Sequence, residues 1–284
     1  MPHCITKVAL IVHACDRYEF LYKGFEHFFS KYWDFGIECK YYFATENLAV
    51  NIAGFHNIQS GKGPWSDRLA ILLTQKVEED YVLYFQEDMW LDKKVDKEFF
   101  DKLFEQTVAN HWKQVKLHSA KIYTTTPTGH YIKNFNVARV DKDVSDYLMS
   151  HQITLWDKAY LIKQLRKNEH PWRNERRATK RMRYNGTPVF HIDYFAENGA
   201  TEINRNKPFA ERSRYFSVSI NGTLNAYVER FAFELMEGNL AYRTYAKKLL
   251  HHYHNQLTHD GNPKPRKIDF VKKIKIWLSR QRIS

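Results

Sequence analysis

Residues 81–91, YVLYFQEDMWL, decide the fold. Tyr81 to Phe85 is a short unbroken apolar run, which reads as a strand covered on both faces. It stops on Gln86, Glu87 and Asp88. Upstream, Pro64 is followed by Ser66 as the expected N-cap of a helix, with Asp67 in its first turn. Leu69, Leu72, Leu73 and Val77 then share one helical face. Further back, residues 7–13 (KVALIVH) read as a buried strand, 19–33 as an aromatic-rich helix and 37–43 as a strand. Residues 45–63 read as polar and irregular. The order β-α-β-loop-α-β predicts an α/β fold with a mostly parallel, doubly wound sheet flanked by helices. Right-handed crossovers bring strand C-terminal ends to one edge, where ligands bind. Residues 13–17, Thr45 with Glu46, and Gln86 to Asp88 all follow strand ends and are expected to meet there.

Downstream, helices are expected over 97–109 and 157–166, and strands over 115–123 and 189–194. From Leu224 the pattern is helical to about residue 256. Residues 259–267, with Gly261, Pro263 and Pro265, read as a linker to a basic amphipathic helix over 268–282. The expected organisation is one domain over 1–223 and a helical C-terminal region over 224–284.

The 15% aromatic share argues against disorder for the bulk of the chain. The formal charge of +12 suggests a polyanionic partner: nucleic acid, an anionic membrane surface or a phosphorylated ligand. The charge gathers in two runs, 173–183 and the tail from Lys264. Cys4, Cys15 and Cys39 form no CxxC, and an odd count argues against a disulfide framework and for a reducing cytoplasm. No stretch approaches the ~18 apolar residues of a spanning helix, so a soluble or peripheral protein is expected. Carboxylates after a strand are hard ligands for Mn²⁺ or Mg²⁺, which also hold phosphate oxygens. The alternative for Glu87 and Asp88 is a solvated strand end.

Residues 63–91 resemble glycosyltransferases of the GT-A fold, whose acidic DxD-type motif ends a central strand. They look closest to bacterial transferases of polysaccharide and lipopolysaccharide assembly. Trp65, Ser66, Arg68, Leu69, Tyr81, Leu83, Tyr84, Glu87, Asp88 and Trp90 stand in the places of that pattern. Gln86 departs from it, because it brings no charge to the first acidic position. Residues 152–175 (QITLWDKAYLIKQLRKNEHPWRNE) resemble a second signature of the same enzymes. Gln152, Trp156, Glu169, Pro171, Trp172 and Glu175 are among the residues that carry it.

The resemblance implies transfer of a glycosyl group, with inversion, from a nucleoside-diphosphate sugar, a UDP-sugar favoured. The acceptor would be a hydroxyl of a glycan or lipid-linked glycan. It places His13, Asp16, Arg17, Thr45, Glu46, Ser66, Arg68, Gln86 and Glu87 around the donor. Asp88 becomes the ligand of a divalent metal, with His191 as a further ligand. Glu175 is the implied base, Glu169 the second candidate, and Trp172 and Trp156 the acceptor-side aromatics. On the residues alone the plainer readings stand beside these. Arg68 can pair with Asp67, Glu175 with a neighbouring arginine, and both tryptophans can be core. His191 can be structural, and the tail helix can meet anionic lipid or the protein's own body. A sugar nucleotidyltransferase is a rival, but it usually carries a glycine-rich loop after the first strand, and residues 13–17 hold no glycine. A basic nucleic-acid-binding protein is the other rival. It would not require Asp88.

Overall fold

β1 (Val8–His13) passes through a 3-10 turn at Asp16–Tyr18 into α1 (Glu19–Tyr32). β2 (Lys40–Thr45), β3 (His56–Gln59), α2 (Trp65–Gln75), β4 (Tyr81–Phe85), β5 (Met89–Lys93) and α3 (Lys97–Ala109) follow. Then come β6 (Gln114–Ala120), β7 (Thr125–Ile132), β8 (Phe135–Val140), β9 (Thr154–Asp157), α4 (Lys158–Gln164), α5 (Pro171–Asn185), β10 (Phe190–Asn198) and β11 (Arg214–Ser217). The computed structural model describes residues 7–198 and 212–264. The chain forms two compact units, Met1–Val218 and Ser219–Ser284.

In the first unit nine strands make one sheet in the order β3-β2-β1-β4-β9-β6-β10-β8-β7. Only β9 and β8 run against the others, so the sheet is mostly parallel in direction. β1 and β4 are buried at every position because both faces are covered. Strand alternation sorts their side chains between the two layers. Ala9, Ile11, Val82 and Tyr84 join a core with Leu69 and Leu72 of α2, Leu161 of α4 and Met182 of α5. On the other face Phe29 of α1 meets Phe85 edge-on, and Phe100 of α3 meets Tyr194 of β10. Strand order reverses between β1 and β4, since β2 and β3 lie to one side and β4 to the other. That reversal opens a crevice at the carboxyl edge.

Several expectations shift. β2 starts at Lys40, because residues 34–37 are held in a turn by the Ile37 N–H on the Asp34 carbonyl. The stretch read as irregular contains β3. Pro64, not Ser66, caps α2, and Ser66 is already helical. The basic run 173–183 lies within α5, whose buried Ala178, Thr179 and Met182 form a narrow apolar face among the charges. β7 and β8 carry no apolar run to announce them, and β7 is a largely exposed edge strand. It contains Pro127 and Gly129 (φ +80°), with a register shift between Pro127 and Tyr131. The opposite edge, β3, has four residues.

The second unit opens with the hairpin β12 (Ser219–Ile220) and β13 (Thr223–Leu224). Its turn, Asn221-Gly222, has positive φ at both residues, as a tight two-residue hairpin requires. α6 (Tyr227–Met236) and α7 (Leu240–His254) follow, with Phe231, Leu235, Tyr245 and Leu249 buried. Ser219 Oγ lies 2.7 Å from His259 Nε2. The hairpin places the start of this unit ahead of Leu224. The tail helix expected over 268–282 lies outside the described residues. Among the described residues no helix is long and apolar enough to cross a membrane.

Candidate active site at the carboxyl edge of the sheet

The acidic turn is built from below. The Met89 N–H donates to the Gln86 carbonyl (3.1 Å), closing the turn between β4 and β5. Trp90 is fully buried, stacks on Phe28, and donates from Nε1 to the Glu87 carbonyl (3.1 Å). α1 can approach this ring because position 24 is glycine; a Cβ there would stand 2.1 Å from Trp90. On the far side, the Val218 N–H donates to the Asp88 carbonyl (2.9 Å). β11 pairs antiparallel with β5 and completes the support.

Both acidic side chains are strained electrostatically. Burial first, then the Asp88 charge, raises the Glu87 carboxyl well above the usual range. Asp88 is half-buried, and its carboxyl is pushed up to about 7 by burial, with the charge of Glu197 adding to it. Glu197 comes from the end of β10. Its Oε2 lies 3.2 Å from the Tyr215 hydroxyl, which also lies 2.7 Å from Gln152 Oε1. Glu197 and Tyr215 complete the surroundings of Asp88, and the motif reading missed both. The available signal was positional: Glu197, too, ends a parallel strand at this edge.

Across the crevice, the turns after β1 and β2 lock together. Asp16 Oδ1 accepts from the Glu46 N–H (2.8 Å), and Oδ2 from the N–H groups of Asn47 (2.9 Å) and Leu48 (3.2 Å). Glu46 Oε2 accepts from the Asp16 N–H (3.1 Å) and from Cys15 Sγ (3.4 Å). Its Oε1 lies 3.5 Å from Arg68 Nε, and Arg68 Nη1 donates to the Ala14 carbonyl (3.3 Å). Asp16, Glu46 and Arg68 therefore do meet, as a frame that fixes three loops. Arg68 pairs with Glu46, not with Asp67. Arg17 is exposed at the rim, and Gln86 is half-buried at the end of β4.

Three residues expected to touch the donor sit deeper. Thr45 is buried, and its hydroxyl donates to the Leu48 carbonyl (2.7 Å). Ser66 is buried, and its Oγ accepts from the Glu169 N–H (2.9 Å). His13 is buried between Trp65 and Tyr84, with Nδ1 3.4 Å from the Tyr84 hydroxyl. Burial, then the charges of Arg68 and His151, hold it well below the usual histidine range, so it is neutral. These three form the floor under the edge and do not line it.

The second segment divides. Trp156 is core: it is 1% exposed on β9, inside the cluster with Val82 and Leu161. Glu169 is 2% exposed and bonded to Asn174 Nδ2 (2.7 Å) and Arg181 Nη2 (3.4 Å), with Arg177 3.6 Å away. It joins α5 to the start of α2 and has no face open to a substrate. Trp172 is 55% exposed on the first turn of α5. Glu175 is half-buried, and its Oε1 accepts from the His151 N–H (2.8 Å). Burial raises its carboxyl, and the charge of Lys116 opposes the rise.

Lys116 lies in β6 (QVKLHSA), where every position is buried, the polar Gln114, His118 and Ser119 included. It is fully buried, its ammonium pushed down to about 7 by burial, and it donates to the Tyr123 hydroxyl (3.1 Å). That hydroxyl lies 2.8 Å from His118 Nε2.

His191 is not beside Asp88. It pairs with Lys116 across the sheet, three strands and roughly 14 Å from β4. Its Nε2 is engaged with the His118 carbonyl (2.9 Å) and lies 3.3 Å from Asp193 Oδ1. Among the described residues no group of three or more His, Cys, Asp or Glu is gathered to hold a metal.

No protein-family model matches the chain, and no curated protein matches it in sequence. Among solved structures, crystal structures of Staphylococcus aureus TarS are similar at a distance. TarS 1–349 shows 13% identity over 88% of this chain and 71% of that one, with a TM-score of 0.44. TarS 1–349 in complex with UDP-GlcNAc shows 13% identity over 86% and 72%, with a TM-score of 0.45. In a longer TarS structure the match spans 43% of that chain, at 12% identity and a TM-score of 0.45. The strand order and edge geometry above stand independently of this likeness.

Proposed function

We propose that the chain is a GT-A-like glycosyltransferase that uses a nucleoside-diphosphate sugar, a UDP-sugar favoured, and glycosylates a hydroxyl of a glycan or lipid-linked glycan with inversion. The observation that carries this is the place of Asp88. It follows the central strand β4 at the point where strand order reverses, at the same sheet edge as the turns that Asp16, Glu46 and Arg68 lock together. Nucleotides bind parallel sheets at such a crevice. The frame holds the loops together, and the exposed Arg17, whose guanidinium rests over the Tyr18 ring, offers its fork to phosphate.

The residues present fit a divalent cation. Burial and the charge of Glu197 raise the Asp88 carboxyl, burial raises that of Glu197, and a cation beside them would relieve both. Mn²⁺ and Mg²⁺ are commonly held by one or two carboxylates together with substrate phosphates. When bound, the metal would offset charge on the departing diphosphate. Glu197 takes the supporting place that sequence assigned to His191. Glu175 is the base: it accepts the acceptor hydroxyl's proton as that oxygen bonds to the anomeric carbon and the bond to the diphosphate breaks. A carboxylate raised by burial is a stronger proton acceptor than an exposed one. The His151 N–H fixes its orientation. The reading includes work at the cytoplasmic face of a membrane, where a lipid-linked acceptor would be met.

A thermal-shift panel of nucleoside diphosphates with and without Mn²⁺ tests the reading. At about 100-fold above the dissociation constant, a true ligand stabilises by about 2.7 kcal/mol. UDP is expected to give the largest shift, and Asp88→Asn to remove its Mn²⁺-dependent part. No shift with any nucleotide would end the donor-site assignment.

A further inference from the structure

α5 carries a cationic groove that the donor site does not use. Arg173, Arg176, Arg177, Lys180 and Arg183 line a cavity of about 510 Å³. Asp146 is the one carboxylate among its lining residues, and Tyr147 supplies an aromatic ring that is 38% exposed. The groove is a built feature. The buried Thr179 hydroxyl accepts from the N–H groups of Leu148 (3.2 Å) and Met149 (3.1 Å). Arg183 donates from Nε to the Lys142 carbonyl (2.7 Å) and from Nη2 to the Ser145 carbonyl (2.9 Å). These bonds fix the loop that forms the facing wall.

The charges stand three and four residues apart along the helix. Like charges at that spacing destabilise a helix, and a bound anion offsets the repulsion. The stripe from Arg173 to Arg183 is ~15 Å long. Its first turn adjoins Trp172 and Glu175, and Glu175 accepts from His151 at the sheet edge. Glu175 is one turn before Thr179 on the same helix face, and the wall loop that bonds Thr179 continues to His151, so the groove runs toward the proposed base.

We propose that this groove holds an anionic glycan, a chain bearing phosphate or carboxylate groups, as the acceptor whose hydroxyl is presented to Glu175. This rests on the glycosyltransferase reading above. Arginine forks match phosphate and carboxylate in pairs of hydrogen bonds. A sugar face can lie on Tyr147 between them. A nucleic acid or a lipid surface would meet the same charge, but neither accounts for a groove that runs toward the base.

The test uses the full chain and the double variant Arg176→Glu/Lys180→Glu, which leaves the wall bonds and Glu175 untouched. Arg176→Gln/Lys180→Gln replaces it if the glutamates prevent folding. With UDP saturating the donor edge, calorimetry measures binding of tripolyphosphate, trigalacturonate and neutral maltotriose. One or both anions should bind the unaltered protein more tightly than maltotriose does. The variant should bind them at least tenfold more weakly and with a shallower salt dependence. Tripolyphosphate alone points to a phosphate-bearing chain, and trigalacturonate to a uronate-bearing one. Equal anion binding by both proteins overturns the proposal. So does a variant that loses only duplex DNA or phosphatidylglycerol vesicles. UDP thermal shifts on both proteins report separately on the donor site. If UDP stabilises neither while the anions still bind, the glycosyltransferase reading falls and only an anion-binding groove remains.

Discussion

On the proposed reading Asp88 and Glu175 bear the chemistry, and each can be separated from its structural neighbours. The Asp88 carboxyl is raised to about 7, so the fold favours its protonated form. Its contribution is fully present below the unfolded aspartate value and is lost as pH rises through about 7. Asp88→Asn removes the titration. Without metal, the variant's melting temperature relative to the parent should therefore climb between pH 4.5 and pH 8; a flat difference would contradict the burial described. Its transfer rate should fall about a hundredfold or more. Glu175→Gln keeps an acceptor for the His151 N–H, so stability should change by less than about 1 kcal/mol. Its rate should drop by about 10²–10⁴. Glu169→Gln should do the reverse and cost about 3 kcal/mol in urea unfolding, because a buried carboxylate bonded to Asn174 and Arg181 is lost. If Glu169→Gln proved stable and inactive, the two roles would have to be exchanged. Composition does not separate these two glutamates. Both stand among arginines in sequence, and only the fold shows that one is enclosed and the other faces the edge.

Among elements, the contact of α1 with β5 governs the acidic turn. Trp90 holds the Glu87 carbonyl from beneath, and Gly24 makes room for its ring. Gly24→Ala should displace the ring and cost about 1–3 kcal/mol. It should also weaken Mn²⁺-dependent UDP binding, although residue 24 lies in a helix outside the crevice. Unchanged UDP affinity in a destabilised Gly24→Ala protein would show that the turn does not depend on this support. Elements with strong periodicity were legible in the sequence. β1, β4, α1 and α3 fall where the apolar runs and aromatic spacing put them. β3, β5, β7 and β8 were not, since short or polar strands are fixed by pairing with neighbours distant in sequence. α5 was masked by its own charge, with only a narrow apolar stripe among arginines. The frame of Asp16, Glu46 and Arg68 was legible by position, because any residue after a parallel strand reaches the same edge. Its depth was not: that Thr45, Ser66 and His13 lie beneath the edge follows from α2 and the second-strand loop closing over them.

At the scale of the whole molecule, the sheet ends differently at each side. β3 offers four residues, too few for a neighbour to grip. β7 is longer and exposed, but Pro127 removes a donor and the shift at Gly129 breaks the ladder's rhythm. Open edges are templates for strand addition, and these features blunt them. Pro127→Val with Gly129→Val should therefore raise light scattering on storage, at unchanged UDP binding. If the double variant stays as clear as the parent, the edge needs no such protection. A sheet of nine strands with blunted edges resists taking a tenth from a neighbouring chain. The interruption at β7 is then a matter of shelf life and cellular upkeep, decided far from any substrate.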